Sequence, residues 1–442
     1  MRMGIPKRER EPRFGSRRTR SWRRAAAVAS ALLLSASACS VAAQQRLPPV
    51  PAVPDDHPRV KAALAEIRRA EPETIEEQIT LCEIPAPPFG EEARAAAYRE
   101  RMEEIGLANV RIDSVGNVIG ERPGRPGEPT VVLSGHLDTV FPKGTDVTVR
   151  REGTVLHGPG IGDDCRGLAV VLAVARALEE ADVPTRGTIL FVGTVGEEGA
   201  GNLRGVRHLF GGDLKDRIDY FISVDGSGLD LTKDAVGSHR YRVTYRGPGG
   251  HSYGAFGMPN PMHALGRAIA KFAEFTVPAE PKTTFSVGVV EGGTSVNSIA
   301  AEASMQVDMR SEDATELERL DSRFQQVLRE ALEEERERWG SDVPLELEVD
   351  TIGLRPAGSQ PLSAPIVQAG LASGAALGFT PETHASSTDA NIAISLGIPA
   401  VTMDGGGRGR GAHSLEESFD TAGSERGTAW ALLYALTLAG VR

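Results

Sequence analysis

Residues 130–140, TVVLSGHLDTV, decide the reading of the fold: the apolar run TVVLSG at 130–135 ends abruptly in Gly135-His136-Leu137-Asp138. An apolar run without alternation is what a strand buried on both faces looks like. TILFVGTV at 188–195, DYFISVD at 219–225 and PAVTMD at 399–404 are of the same type. Helical patterns separate them, notably at 167–181 and 389–396. Strands alternating with helices predict an α/β catalytic domain with a mostly parallel sheet flanked by helices.

The rhythm changes at both ends of this core. Before it, 58–106 has apolar residues every three to four positions, broken at 85–89, which predicts helices. Within it, between about 237 and 354, RYRVTYRG alternates and a helix pattern runs from 262 to 275. Strands at 284–291 and 299–309, a charged helix at 314–339 and LELEVDTI at 345–352 follow. This order predicts an inserted α+β unit of the β-α-β-β-α-β kind. The expected organisation is an export signal at 1–43, a Pro-rich linker at 44–56, a catalytic domain at 57–236 and 355–442, and a lid or dimerisation domain at 237–354. The charged stretch 330–338 is expected to be a solvated helix face.

The chain has 442 residues and a net charge of -11. Residues 1–43 hold ten Lys/Arg against two acids, which leaves the remainder at a net of -19. An acidic body argues against a nucleic-acid binder. The leader is basic from Arg17 to Arg24 and then apolar at 25–38, too short a run to span a bilayer comfortably. Two endings compete. Ala36-Ser37-Ala38 before Cys39 reads as a lipoprotein signal that would anchor the chain through a lipid on Cys39. Val41-Ala42-Ala43 before Gln44 reads as a plain cleavage site. The expectation is export to the periplasm or beyond, with the anchor open. Only Cys82 and Cys165 remain in the body, so neither a disulfide framework nor a Cys-rich zinc site is expected.

Open α/β sheets bind ligands at the carboxyl ends of their strands. There the sequence places His136 and Asp138, Glu197 and Glu198, Asp225, and beyond the last strand GGGRGRGA and His413. The loop HGPGIGDD adds Asp163 and Asp164. So many acids in one cleft repel each other, and bound cations are the natural remedy. Mixed imidazole and carboxylate ligands suit zinc, with manganese or cobalt as alternatives. A carboxylate can bridge two metals, and such a pair generates a hydroxide nucleophile and polarises a carbonyl. One member of the Glu197–Glu198 pair can ligate while the other handles protons. Asp138 is spaced to hold the second nitrogen of His136.

These residues resemble a known family: the dinuclear zinc exopeptidases and deacylases that include peptidase T, carboxypeptidase G and succinyl-diaminopimelate desuccinylase. GHLDTVFP, GPGIGDD, GTVGEEGAGNLRG, GGHSYG, GGTSVNSIA, VDMR, SSTDAN and HSLEE carry the resemblance, in that order, across roughly 60–438. It implies that Asp163 bridges two metals, with Glu198 and His413 on one and His136 and Asp225 on the other. Glu197 would be the general base and Asp138 the orienter of His136. His251, in the inserted domain, would donate to the oxyanion, across a dimer interface in the family's arrangement. Asn297 and Arg310 resemble substrate-carboxylate binders, and Asp389 and Gly405 fall in substrate-cleft segments. Asp at 225, where the deacylases tend to have Glu, tilts the expectation towards di- or tripeptides.

The expected reaction is hydrolysis of a peptide or amide bond in a small substrate by metal-bound hydroxide, with Glu197 taking the proton. The runner-up is an N-acyl-amino-acid deacylase or carboxypeptidase with the same metals. A remoter alternative is a serine hydrolase, because residues 250–254 match G-x-S-x-G around Ser252. A binding protein without turnover would be expected to have lost part of the site.

Overall fold

The computed structural model describes residues 52–442 apart from Asp213 and Ser341. The expected export signal at 1–43, the Cys39 anchor and residues 44–51 of the linker lie outside the described residues. Among the described residues no helix is long and apolar enough to cross a membrane.

The protein is an α/β fold built on an eight-stranded sheet. Its centre is four mutually parallel strands in the order Thr188–Thr194, Thr130–His136, Tyr220–Val224 and Ala400–Met403. Antiparallel strands at Val118–Arg122 and Ala108–Ile112 extend one side. Leu231–Ala235 and Thr383–Ser386 extend the other. The central runs are apolar throughout because both of their faces are covered. Val131, Leu133, Phe191 and Ile222 pack to one side, against the helices Cys165–Glu180 and Glu425–Ala439. Val132, Leu190, Val192 and Phe221 pack to the other, against Arg204–Gly211 and Ala390–Ser395.

A second sheet carries the strands Thr283–Gly292, Glu302–Ser311, Gly237–Arg246 and Glu346–Arg355, in that spatial order and all antiparallel. Tyr241, Val243, Tyr245, Met305, Val307 and Met309 form its inner face, under the helices Pro261–Ala273 and Ala314–Trp339. No described helix joins the cluster from the opposite face, so residues one position off this register turn away from the core.

One expectation here is corrected. Within 330–338, Glu335 is fully buried rather than solvated. It accepts hydrogen bonds from the Asn260 N–H (3.1 Å), Trp339 Nε1 (2.9 Å) and Arg267 Nε (3.2 Å). Its position on the helix turns it towards the start of Pro261–Ala273, where an orphan backbone donor needs an acceptor.

Candidate metal centre and substrate cavity

The four parallel strands end along one edge, and the site is assembled there. His136 closes Thr130–His136 with its ring 1% exposed. Its Nδ1 meets the backbone carbonyl of Asp138 at 3.0 Å, which directs Nε2 to Asp163 Oδ1, also at 3.0 Å. The Asp138 carboxylate lies 3.8 Å from the imidazole. It is committed elsewhere: Oδ1 accepts from the Glu197 N–H (3.0 Å) and Oδ2 from the Glu198 N–H (2.8 Å). Asp138 thus holds His136 by its main chain and the Glu pair by its side chain. Gly196, at a φ of 66°, makes the turn before that pair; a Cβ there would collide with the Arg204 side chain.

Asp163 lies between two imidazoles. Its Oδ1 faces His136 Nε2 and its Oδ2 faces His413 Nε2, each at 3.0 Å. His413 Nε2 is also 2.9 Å from Glu198 Oε1. His413 stands in the loop between the short strands Arg408–Arg410 and Ser418–Asp420, at a φ of 65° that few non-glycine residues adopt. Three overlapping donor sets result, each with ligand atoms within 4.8 Å of one another: His136, Asp163 and Asp225; Asp163, Glu198 and His413; and His136, Glu197 and Glu198.

The electrostatics of the cluster are those of a site built for cations. Burial works to raise the Asp163 carboxyl, but hydrogen bonds from His136 and His413 outweigh it and hold the group far below the usual carboxylate range. The carboxylates of Asp163 and Glu198 push His413 up to about 10. Burial, reinforced by Asp163, raises Asp225 to about 7. The donor set fits divalent cations on two grounds. With His136 Nδ1 turned to a carbonyl, its Nε2 and the carboxylate oxygen opposite need a positive charge between them. The N···O separations of 2.9–3.0 Å also match neighbouring ligands of one ion bound at about 2.1 Å.

Three residues that sequence reasoning passed over hold this cluster. Asp164 caps the helix Cys165–Glu180 and accepts from the His136 N–H at 2.8 Å. Glu417 accepts from the N–H groups of Gly160 (2.9 Å), Gly162 (2.8 Å) and Asp163 (3.1 Å), which clamps the Asp163 loop. Arg355, 6% exposed at the end of Glu346–Arg355, pairs with Glu197 Oε1 at 2.9 Å and also bonds the Glu197 carbonyl and Ser387 Oγ. An Asp ahead of a helix was a visible cap signal. Nothing local marked the other two.

A cavity of about 560 Å³ opens over this edge, within the range of small-molecule sites. Asp163, Glu197, Glu198, Asp225 and His413 line it, and Arg240, Arg310 and Arg355 come to its wall from the second sheet. Not every expected residue reaches it. The Asp389 carboxylate is buried and takes the Thr194 hydroxyl at 2.6 Å. Gly405 packs against Arg166, whose Nε bonds the Gly405 carbonyl at 2.8 Å. Both are off the wall, where they had been expected to meet substrate. His251 is exposed and accepts from the Tyr253 and Gly254 N–H groups, while the Asn297 amide oxygen takes the Ser295 hydroxyl. Neither lines the cavity.

The serine-hydrolase alternative fails on geometry. Ser252 follows a two-residue strand, its N–H bonds the Asn297 carbonyl, and the next helix begins only at Pro261. No sharp strand–turn–helix elbow exists there to present the hydroxyl. Cys82 and Cys165 are free thiols, both buried in one small apolar cluster.

Fold and site together define a metal-dependent hydrolase of the α/β class with an inserted lid-type sheet. The profile of Peptidase family M20/M25/M40 matches residues 132–437, and the chain belongs to that family. It is 26% identical over 349 residues to the uncharacterised protein YqjE of Bacillus subtilis (strain 168), which covers 74% of this chain and 89% of that one. It is 29% identical over 252 residues to a succinyl-diaminopimelate desuccinylase of Pseudomonas syringae pv. syringae, covering 52% and 65% respectively. A tripeptidase from Staphylococcus aureus subsp. aureus mu50 shares the fold, with a TM-score of 0.69 at 22% identity over 84% of this chain and 98% of that one.

Proposed function

We propose that the protein hydrolyses the peptide bond of a small peptide, most simply a di- or tripeptide with a free amino end, using two divalent cations of which zinc suits the donors best. The observation that carries this reading is Asp163 shared between two donor sets, one with His136 and Asp225 and the other with Glu198 and His413. Cations held there supply Lewis acidity, polarising the substrate carbonyl and acidifying water. Glu197 is the general base. Arg355 holds its Oε1, so Oε2 is left to take a proton from the attacking water and deliver it to the departing nitrogen as the C–N bond breaks. Burial pushes the Glu197 carboxyl up against the pull of Arg355, which suits a group that must accept and then release a proton. Asp404, also on the cavity wall, offers a partner for a substrate ammonium.

The lid role and the dimer belong to the same proposal. His251 stands off the wall within its own chain, so a second copy would have to bring it to the oxyanion, which sedimentation and an inactive–inactive mixing experiment would test. Export rests on the basic and then apolar leader, and the mass of the mature N-terminus would distinguish lipidation at Cys39 from cleavage before Gln44.

The direct test offers the zinc-loaded protein a free tripeptide and its N-acetylated twin, with Glu197→Gln as the blank. Cleavage of the free peptide alone supports the reading. Cleavage of the acetylated twin alone replaces it with deacylase or carboxypeptidase activity, the chemistry named for the Pseudomonas relative.

A further inference from the structure

On the strand Gly237–Arg246, Tyr241, Val243 and Tyr245 turn into the helices. Arg240 and Arg242 therefore turn to the opposite face. Arg240 is in register with Asp308 on the neighbouring strand, and Arg310 lies two residues beyond Asp308 on that same face. One carboxylate anchors both guanidinium groups: Asp308 Oδ1 accepts from Arg240 Nε at 2.9 Å, and Oδ2 from Arg310 Nε at 2.7 Å. A planar guanidinium held through Nε directs its terminal nitrogens onward as a fork. Both Arg240 and Arg310 reach the wall of the cavity that holds Glu197, Glu198 and His413.

The charges do not balance. Two guanidinium groups face one carboxylate, which leaves one positive charge on the wall for a ligand to meet. Arg242, next along the same face, is not on the wall and has its own partner, Glu291, at 3.4 Å. The surplus is therefore local to the cavity.

We propose that Arg240 is a specificity-determining residue that, with Arg310, forms a two-guanidinium subsite for a free carboxylate at the leaving end of the substrate. The substrate class is then short peptides with an unblocked C-terminus. This deepens the peptidase reading and rests on it for the peptide nature of the substrate. Two forks around one carboxylate give more directed hydrogen bonds than a single arginine can, and each is charge-assisted.

The test is calorimetric titration of the zinc-loaded full chain carrying Glu197→Gln with trialanine and with trialanine amide. The free acid is expected to bind about tenfold more tightly than the amide. Adding Arg240→Gln should raise the Kd of the free acid about tenfold and leave that of the amide in place, so the amide serves as the control for folding. Arg240→Lys, which keeps the charge but not the fork, should fall between. Equal affinity for the two ligands, no binding of the free acid at millimolar concentration, or an equal loss for both in Arg240→Gln overturns the proposal. Turnover by the unsubstituted protein is read separately. Cleavage without preference for the acid keeps the peptidase reading and discards the subsite, whereas preference without cleavage does the reverse.

Discussion

The floor of the cavity and the wall above it are held in different ways. On the floor, three buried carboxylates act as staples for the backbone: Asp138 for Glu197 and Glu198, Asp164 for His136 and Gly167, and Glu417 for Gly160, Gly162 and Asp163. On the wall, Arg240 and Arg310 share the single, partly exposed Asp308, and the Arg310 side chain is 40% exposed. His251 and Asn297, from the same sheet's loops, do not reach the cavity within the chain. A carboxylate whose lone pairs are all taken by buried N–H groups fixes geometry; an exposed ion pair contributes little rigidity. Chemistry therefore belongs to the floor, and recognition to the wall. Floor substitutions should act on kcat and metal affinity, wall substitutions on KM.

The largest effect is expected at Glu197. Glu197→Gln should keep the metals and lower kcat by about 10²–10⁴-fold, the usual contribution of a general base. Near-full activity would remove Glu197 from that role. Next is Glu417→Gln, which replaces an acceptor oxygen with a donor and leaves a buried N–H of the Asp163 loop without its partner. It should cost about 1–3 kcal/mol in a thermal melt. Metal affinity, titrated with a chelator, should fall about 10–100-fold, as for other outer partners of metal ligands. Unchanged affinity would mean that the loop holds its shape without the staple. Arg310→Ala is milder: KM for a free tripeptide should rise about tenfold, with kcat changed less than about threefold. A matching fall in kcat would blur the division between floor and wall.

The smallest effect concerns pH with the cations stripped. Burial, reinforced by Asp163, raises Asp225 to about 7; burial also raises Glu417 to about 7; and Asp163 and Glu198 raise His413 to about 10. All three bind a proton more tightly folded than unfolded. Their stabilisation is complete below the unfolded values and is lost as pH rises: through about 4 to 7 for the acids and about 6.5 to 10 for His413. In chelator the Tm should fall as pH rises from about 5 to 9, and zinc should flatten the fall. A Tm that climbs over that range contradicts this account of the cluster.

What the sequence revealed follows the same division. The four central strands could be read because burial on both faces leaves continuous apolar runs, and ligands at strand ends follow from the topology. The helix Glu425–Ala439 was harder, since it is buried almost all round and has no polar stripe to set a period. His413 lies in a loop, where only the family resemblance distinguished it from an ordinary histidine. Arg355 and Glu417 were invisible because their partners, Glu197 and the Asp163 loop, lie 158 and 254–257 residues away in sequence. Arg240 lay inside RYRVTYRG, whose alternation set its face, but nothing local showed that the cavity was on that side.

The central claim is that Asp163 joins two cation sites. Metal analysis of the purified, zinc-equilibrated protein beside Asp163→Asn tests it most directly. The account predicts two divalent ions per chain in the unsubstituted protein and a loss from both sites in the variant. One ion per chain, or a variant that still holds two, would contradict it.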